Sequence, residues 1–252
     1  MRQKRLSGQL LLLLIAHCGV ALFAANANAQ SSGDAHWSFT PYIWASDTSL
    51  DFSLNGSPVG GADLKFADIL DVVDAAFQVH AEGGQGNWSG FADFTFISTS
   101  DSSELPIVRI DTDSEQIVLD AAAAYWPGGV GSPLNFFGGA RYTEFDDRYR
   151  FSVDGTPVGE IRSTQDYVDA LLGIRYRFDL SDRWSLLTHG DVSFGDSEGT
   201  WQVQGLFAYT VGKRRRNHIV FGYRYKQAEF KEGNLTTDYT FSGPLAGFNF
   251  GF

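Results

Sequence analysis

The chain has 252 residues, 43% of them hydrophobic and 15% aromatic, with 28 glycines and only 19% charged. Soluble domains usually carry about a quarter charged residues, so this balance is dilute. Acidic residues outnumber basic ones 30 to 19, a net charge of −11, which excludes the basic surface a nucleic-acid binder needs to meet phosphate.

The N-terminus reads as an export signal. Arg2, Lys4 and Arg5 form a positive start, Leu10 to Phe23 are almost all apolar, and Ala27-Asn28-Ala29 offers small residues for a signal peptidase. Cleavage is expected between Ala29 and Gln30, giving a signal over 1–29 and one domain over 30–252. The apolar run is too short to span a bilayer as a helix, which takes about 20 residues. Cys18-Gly19 is a poor lipoprotein site, because His17 sits where a small residue is wanted. Three basic and no acidic residues fall in the signal, so the remainder carries 16 basic and 30 acidic side chains, a net charge of −14. The only Cys and the only Met also go with it, leaving no thiol chemistry.

After the signal no window of 18 apolar residues exists, and the pattern is one of period two. Trp201, Val203, Phe207, Tyr209 and Val211 alternate with Gln202, Gln204, Leu206, Ala208 and Thr210. Ile219, Phe221, Tyr223 and Tyr225 alternate with His218, Val220, Gly222, Arg224 and Lys226. Val168, Leu172, Ile174, Tyr176 and Phe178 alternate with Tyr167, Asp169, Leu171, Arg175 and Arg177. One face for lipid and one for a lumen is the pattern of a membrane-spanning barrel. The fold class is therefore all-β, a transmembrane antiparallel β-barrel.

The strands predicted in chain order are 37–54, 75–85, 88–99, 113–126, 134–153, 162–179, 184–195, 200–211, 217–230 and 238–252. About ten strands result; eight is the lower alternative, and twelve would follow if the first long connection hides a hairpin. Short joins at 85–87, 127–133, 180–183 and 212–217 alternate with longer ones at 55–74, 100–112 and 154–161. Periplasmic turns and extracellular loops alternate in that way. Trp37, Trp88, Trp126, Phe178, Trp184 and Phe252 gather at the periplasmic ends, the depth that amphipathic rings favour. In the first long connection, Leu64 to Val73 has apolar residues at helical spacing, which predicts a short helix. Two connections share a sequence, Phe52-Ser-Leu-Asn55-Gly56-Ser-Pro58-Val-Gly60 and Phe151-Ser-Val-Asp154-Gly155-Thr-Pro157-Val-Gly159. Asn-Gly and Asp-Gly supply the positive φ angles of tight hairpins.

The chain end, Phe248-Asn-Phe250-Gly-Phe252, resembles the C-terminal signature of outer-membrane proteins. That resemblance implies recognition of Phe248, Phe250 and Phe252 by the barrel-assembly machinery. The start of the first strand, Trp37-Ser-Phe39-Thr-Pro41-Tyr42-Ile-Trp44, together with Asp68-Ile69-Leu70 and Gly86-Asn87-Trp88, resembles a group of uncharacterised Gram-negative outer-membrane barrel proteins. It implies a fold and an outer-membrane location rather than an activity. Ten strands also resemble omptin proteases at the level of fold alone.

Parity sends His80, Glu82, Asp93, Asp120, Arg141, Asp169, Arg175, Arg177, His189, Asp191, His218, Arg224 and Lys226 into the lumen. The main expectation is a paired charge network filling a narrow barrel, since charges there must find partners. A thin pore lined by the same groups is a second reading. The rival is enzymatic: His189, Asp191 and Ser193 share one face of a strand, the minimum for acid-oriented base chemistry on a lipid or peptide. No further motif supports catalysis, and none calls for a metal or cofactor. Acid-rich connections suit outer-membrane lipid and lipopolysaccharide, bridged by hard cations.

Overall fold

A computed structural model of the chain describes residues 35–104 and 106–252. The export segment and its cleavage point at Ala29–Gln30 lie outside the described residues. The elements are β1 His36–Trp44, β2 Asp47–Leu54, β3 Ser57–Leu64, α1 Phe66–Val72, β4 Val73–Gln85, β5 Trp88–Glu104, β6 Val108–Tyr125, β7 Leu134–Val153, β8 Thr156–Asp179, β9 Trp184–Gly195, β10 Gly199–Val211, β11 Asn217–Glu232 and β12 Leu235–Gly251.

Every neighbouring pair is antiparallel, and β12 returns to β1, which closes the sheet into a barrel. β1 and β2 are one wall strand interrupted at Ala45 and Ser46. β1 pairs with β12 and β4, whereas β2 pairs with β12 and β3. The wall therefore has ten strands. The first long connection does hide a hairpin, β2–β3, but it rises above the closed part and adds no spanning pair.

Side chains of opposite parity separate as the pleat requires. Outside lie Ile43, Phe77, Leu172, Ile174, Val203, Phe221 and Tyr223, all strongly exposed. An apolar belt of this kind is stable only in contact with lipid or a partner. Inside lie the buried Tyr42, Phe91, Phe137, Leu171, Leu206 and Leu245. At the end carrying the short turns, Trp37, Trp88, Phe178, Trp184 and Phe252 point outward and are well exposed. Trp126 does not join them. Its parity on β6 matches Asp120 and Ala124, so it turns into the barrel mouth and donates Nε1–H to Ser89 Oγ at 2.8 Å.

The connections predicted at 100–112 and 154–161 are mostly strand. β5 pairs with β6 up to Glu104↔Arg109, and β7 with β8 up to Val153↔Thr156. The hydropathy pattern fails there because both faces are wet once the strands leave the belt. Outward positions carry ion pairs instead: Arg109–Asp111 at 2.8 Å, Arg150–Asp113 at 2.9 Å and Arg162–Asp146 at 2.5 Å. Asp146 is held below the usual carboxylate range by the hydrogen bond from Arg162, and Asp111 by those from Ser102 and then Arg109. What these carboxylates contribute is full at neutral pH and is lost as pH falls through their lowered values.

The helix predicted near Leu64–Val73 forms as α1. Asp47 anchors its start: the carboxylate accepts from Phe66 N–H at 2.9 Å and pairs with Lys65 Nζ at 3.1 Å.

The two sequence-related hairpins fold alike. Asn55 and Asp154 have φ of 50° and 47°, Gly56 and Gly155 of 77° and 74°, and each pair is a two-residue turn with positive φ throughout. Both carry a bulge one step away, between Phe52 and Ser53 and between Phe151 and Ser152.

Strand packing inside the wall gives a test. A Cβ on Gly222 would lie 2.0 Å from the Gly205 carbonyl oxygen and 2.8 Å from Leu206 Cα, so backbone must move. Gly222→Ala is expected to lower stability by roughly 1–3 kcal/mol, the usual cost of overpacking. Gly205→Ala, with open space around it, should not. Denaturant unfolding of both variants in detergent micelles checks the contrast.

Candidate functional site: the barrel interior

The interior is filled at three heights. Nearest the turn end, Arg175 on β8 reaches across the barrel to Glu82 on β4, with Nη1–Oε2 at 2.9 Å and Nη2–Oε1 at 3.2 Å. Its Nε donates to Asn135 at 3.0 Å. The guanidinium lies 4.6 Å from the Phe91 ring centroid and 5.3 Å from that of Phe137, a cation–π arrangement. Glu82 also accepts from Ser89 at 2.6 Å, and His80 joins it to Asp93, at 3.6 Å and 3.2 Å respectively.

The middle height holds two guanidinium clusters. Arg141, only 2% exposed, grips Asp120 with two parallel bonds of 2.7 Å. This fork geometry is the strong form of the pair. The same Nη2 reaches Asp191 at 3.1 Å, and Nη1 reaches Ser193 Oγ at 3.4 Å. Asp191 also accepts from Gln202 at 2.6 Å and lies 2.5 Å from His189 Nε2. Asp169 accepts from the hydroxyls of Ser193 and Ser197, at 3.2 Å and 2.5 Å. On the other side Arg224 donates to Gln204 at 2.8 Å and to Tyr42 Oη at 3.4 Å, and packs over Trp44. Tyr42 in turn donates to Asp93 at 2.7 Å.

Above these sit the inward rings of Phe145, Tyr167, Phe230, Tyr239 and Phe241. Their centroids lie 4.6 to 5.8 Å apart along the chain of contacts. They close the interior with an apolar layer.

Ten of the thirteen charged or imidazole residues sent inward by parity thus meet in hydrogen-bonded contact. Three do not join. Arg177 pairs with Asp179 on its own strand at 3.0 Å, half exposed at the turn end. His218 meets Thr210 at 3.2 Å near the same mouth. Lys226 lies in the fields of Asp120 and Asp191 without an ion pair to either within 4.0 Å among the described residues. Neutral partners were passed over in the sequence: Tyr42, Asn135, Gln202, Gln204 and Ser89. Their parity was legible; their lack of charge hid them.

The His189–Asp191–Ser193 set does not assemble as a nucleophile with its base. His189 and Asp191 are in contact, but Asp191 is also the counter-ion of Arg141. The Ser193 hydroxyl donates to Asp169, and Ser193 is 2% exposed. Among the described residues no group of three or more His, Asp or Glu is arranged to hold a metal.

No protein-family model matches the sequence, and no curated protein matches it in sequence. In fold the chain is similar to the outer-membrane protease OmpT of Escherichia coli, with a TM-score of 0.55 at 9% identity, over 89% of this chain and 99% of that one. The translocator domain of the autotransporter NalP from Neisseria meningitidis gives a TM-score of 0.45 at 12% identity, over 93% of this chain and 95% of that one. At 9% identity the likeness to OmpT speaks for the barrel fold and for nothing finer.

Removing one partner of a buried pair strands the other charge, at about 3–5 kcal/mol for a well-enclosed site. Arg141→Ala leaves Asp120 and Asp191 without their cation and should cost an amount of that order. Arg177→Ala, at the wet mouth, should change stability by less than about 1 kcal/mol. Unfolding midpoints of the purified variants decide between a structural network and independent surface pairs.

Proposed function

We propose that the chain is an exported outer-membrane barrel, closed to solutes, that serves a structural or binding role without catalysis. The filled interior carries this reading. Charges, amides and aromatic rings occupy the lumen at three heights, which leaves a thin channel no ready path. The apolar belt, the signal ending at Ala29 and the terminal Phe248, Phe250 and Phe252 support the outer membrane as its place. The assembly machinery and lipopolysaccharide are the partners that follow from that place. The short turns then face the periplasm and the long hairpins the outside.

Catalysis through His189 is disfavoured by two features: Ser193 is oriented away from it, and the set lies beneath the aromatic layer. The functional surface is instead the part of the wall that rises past the membrane, where β5 to β8 carry paired charges on their outward face.

Planar-bilayer recording tests the closed state. Refolded protein should insert without current steps, while Arg175→Ala, which empties the space beside Glu82, should conduct or fluctuate. Steps from the unaltered protein would replace the closed reading with the channel. Topology has its own check. A protease site placed at Gly56 or Gly155 should be cut on intact cells, and one at Arg215 protected. Loss of a surface hydrolytic activity in a normally folded His189→Ala variant would establish the enzyme instead.

A further inference from the structure

The wall is uneven in height. β9 and β10 stop at a low tip, Gly195 to Gly199, whereas β8 continues upward to Thr156 and β11 to Glu232. β8 pairs with β9 only over residues 169–179 and meets the tip once more at Val168, so the ladder of its upper part, Thr156–Tyr167, is to β7 alone. A long strand edge is left open on the outer side of the molecule.

The phase of that edge is fixed at its base. Val168 C=O accepts from Asp196 N–H at 3.2 Å, and Val168 N–H donates to the Asp196 carboxylate at 3.1 Å. In an antiparallel ladder the bonding direction alternates with each residue. The backbone groups of Asp166, Thr164, Arg162 and Glu160 therefore aim into the open notch, four donors and four acceptors in a row. Pro157 and the bulge at Val158 blunt the tip of β8, but from Gly159 downward its register with β7 runs without interruption. Folded proteins normally cover or blunt such an edge, because another strand pairs with it readily.

We propose that this edge of β8 accepts an extended, basic peptide segment of another protein as an added strand. The inference rests on the reading of the barrel as a closed anchor with an exposed wall, and names the kind of partner that wall takes. Charge sets the sign of the partner. Asp166 on β8, Asp196 and Glu198 at the low tip, and Glu229 and Glu232 on β11 border the notch, with no cation paired to them among the described residues. Of the nearby cations, Arg162 is already held by Asp146 at 2.5 Å and Arg148 by Glu160 at 3.4 Å, which leaves Lys231. Parity sets its pattern. Residues of the added strand that face inward meet Ile161 and the Tyr167–Phe230 ring pair, whose centroids are 4.6 Å apart, so alternate positions are apolar. A second copy of the chain is a poor occupant. In a shared membrane it presents the same edge running in the same direction, which denies the symmetric antiparallel pairing of two equal edges.

The probe is a labelled ten-residue peptide of alternating Lys and Val, titrated by fluorescence anisotropy into the full-length protein in detergent micelles. It should bind, and bind more weakly as salt is raised. Thr164→Pro removes one open N–H without touching the β7 ladder, so the barrel folds and affinity falls about tenfold, the value of one backbone bond plus the broken register. Heat-dependent gel mobility and silence in bilayers confirm that the variant is folded and closed. Amide exchange on the unaltered protein is the second readout: Glu160, Arg162, Thr164 and Asp166 should slow with peptide bound. No binding, equal binding by Thr164→Pro, or slowing elsewhere but not at these four amides overturns the proposal. Failure of the closed-anchor reading would appear separately, as current in the bilayer.

Discussion

A guanidinium enclosed by a narrow barrel has to be met by carboxylates, and Arg141 decides where three strands stand. Its partners come from β6 and β9, on either side of its own β7, and the second lies across an intervening strand. Arg175 and Glu82 repeat the arrangement across the lumen, 93 residues apart in sequence. Arg224 ties β11 to Tyr42 on β1. Such bonds run through the interior, at right angles to the ladder bonds within the wall. They fix the cross-section, while backbone pairing fixes only the order of the strands. Hydrophobic packing is a minor partner around these clusters, where Phe91, Ala124, Phe137 and Leu171 on one side and Tyr42, Leu206 and Leu245 on the other form only small apolar groups. Buried pairs are poor sources of net stability, but a mismatched one is costly, so they act chiefly to exclude other shapes.

The belt and the closed wall were legible because lipid on one side and a polar lumen on the other write themselves as period two. The same logic explains where legibility ended. Above the belt both faces meet water, so Ser100, Asp101, Asp111 and Glu160 look like loop residues although they lie in strands. Trp126 misled for a related reason. Composition marks an aromatic as an interface residue, and only strict parity from Asp120 onward shows that it points inward. The break at Ala45 and Ser46 carried no visible signal: Trp37 to Leu54 reads as one strand, and nothing local says that its upper half leaves β4 for β3. That departure depends on Asp47 holding the start of α1, a contact made between distant residues.

The paired hairpins show how far local sequence does reach. Asn55-Gly56 and Asp154-Gly155 sit in different parts of the one sheet and meet different neighbours, yet they share turn, bulge and register offset. Positive φ at two successive positions admits few residues, and a proline one step beyond the glycine-flanking residue forbids a ladder bond there. Those two demands are enough to specify the bulge without any help from the surroundings. Shared hairpin chemistry therefore accounts for the likeness without an old duplication.

Wall height follows from where the tips fall. Because β9–β10 turns early at Asp196 and β4 begins only at Val73, the sheet above the belt divides into two fins, β5 to β8 and β11, β12, β2 and β3. Phe145 and Tyr167 from one fin meet Phe230 and Tyr239 from the other. Without those rings each fin would be a free sheet with two open edges. With them, the fins are clamped at their base and remain open at their sides. The ring layer thus closes the lumen and holds the exposed edges in place at once, so a change that loosens it should affect the interior seal and the outer surface together.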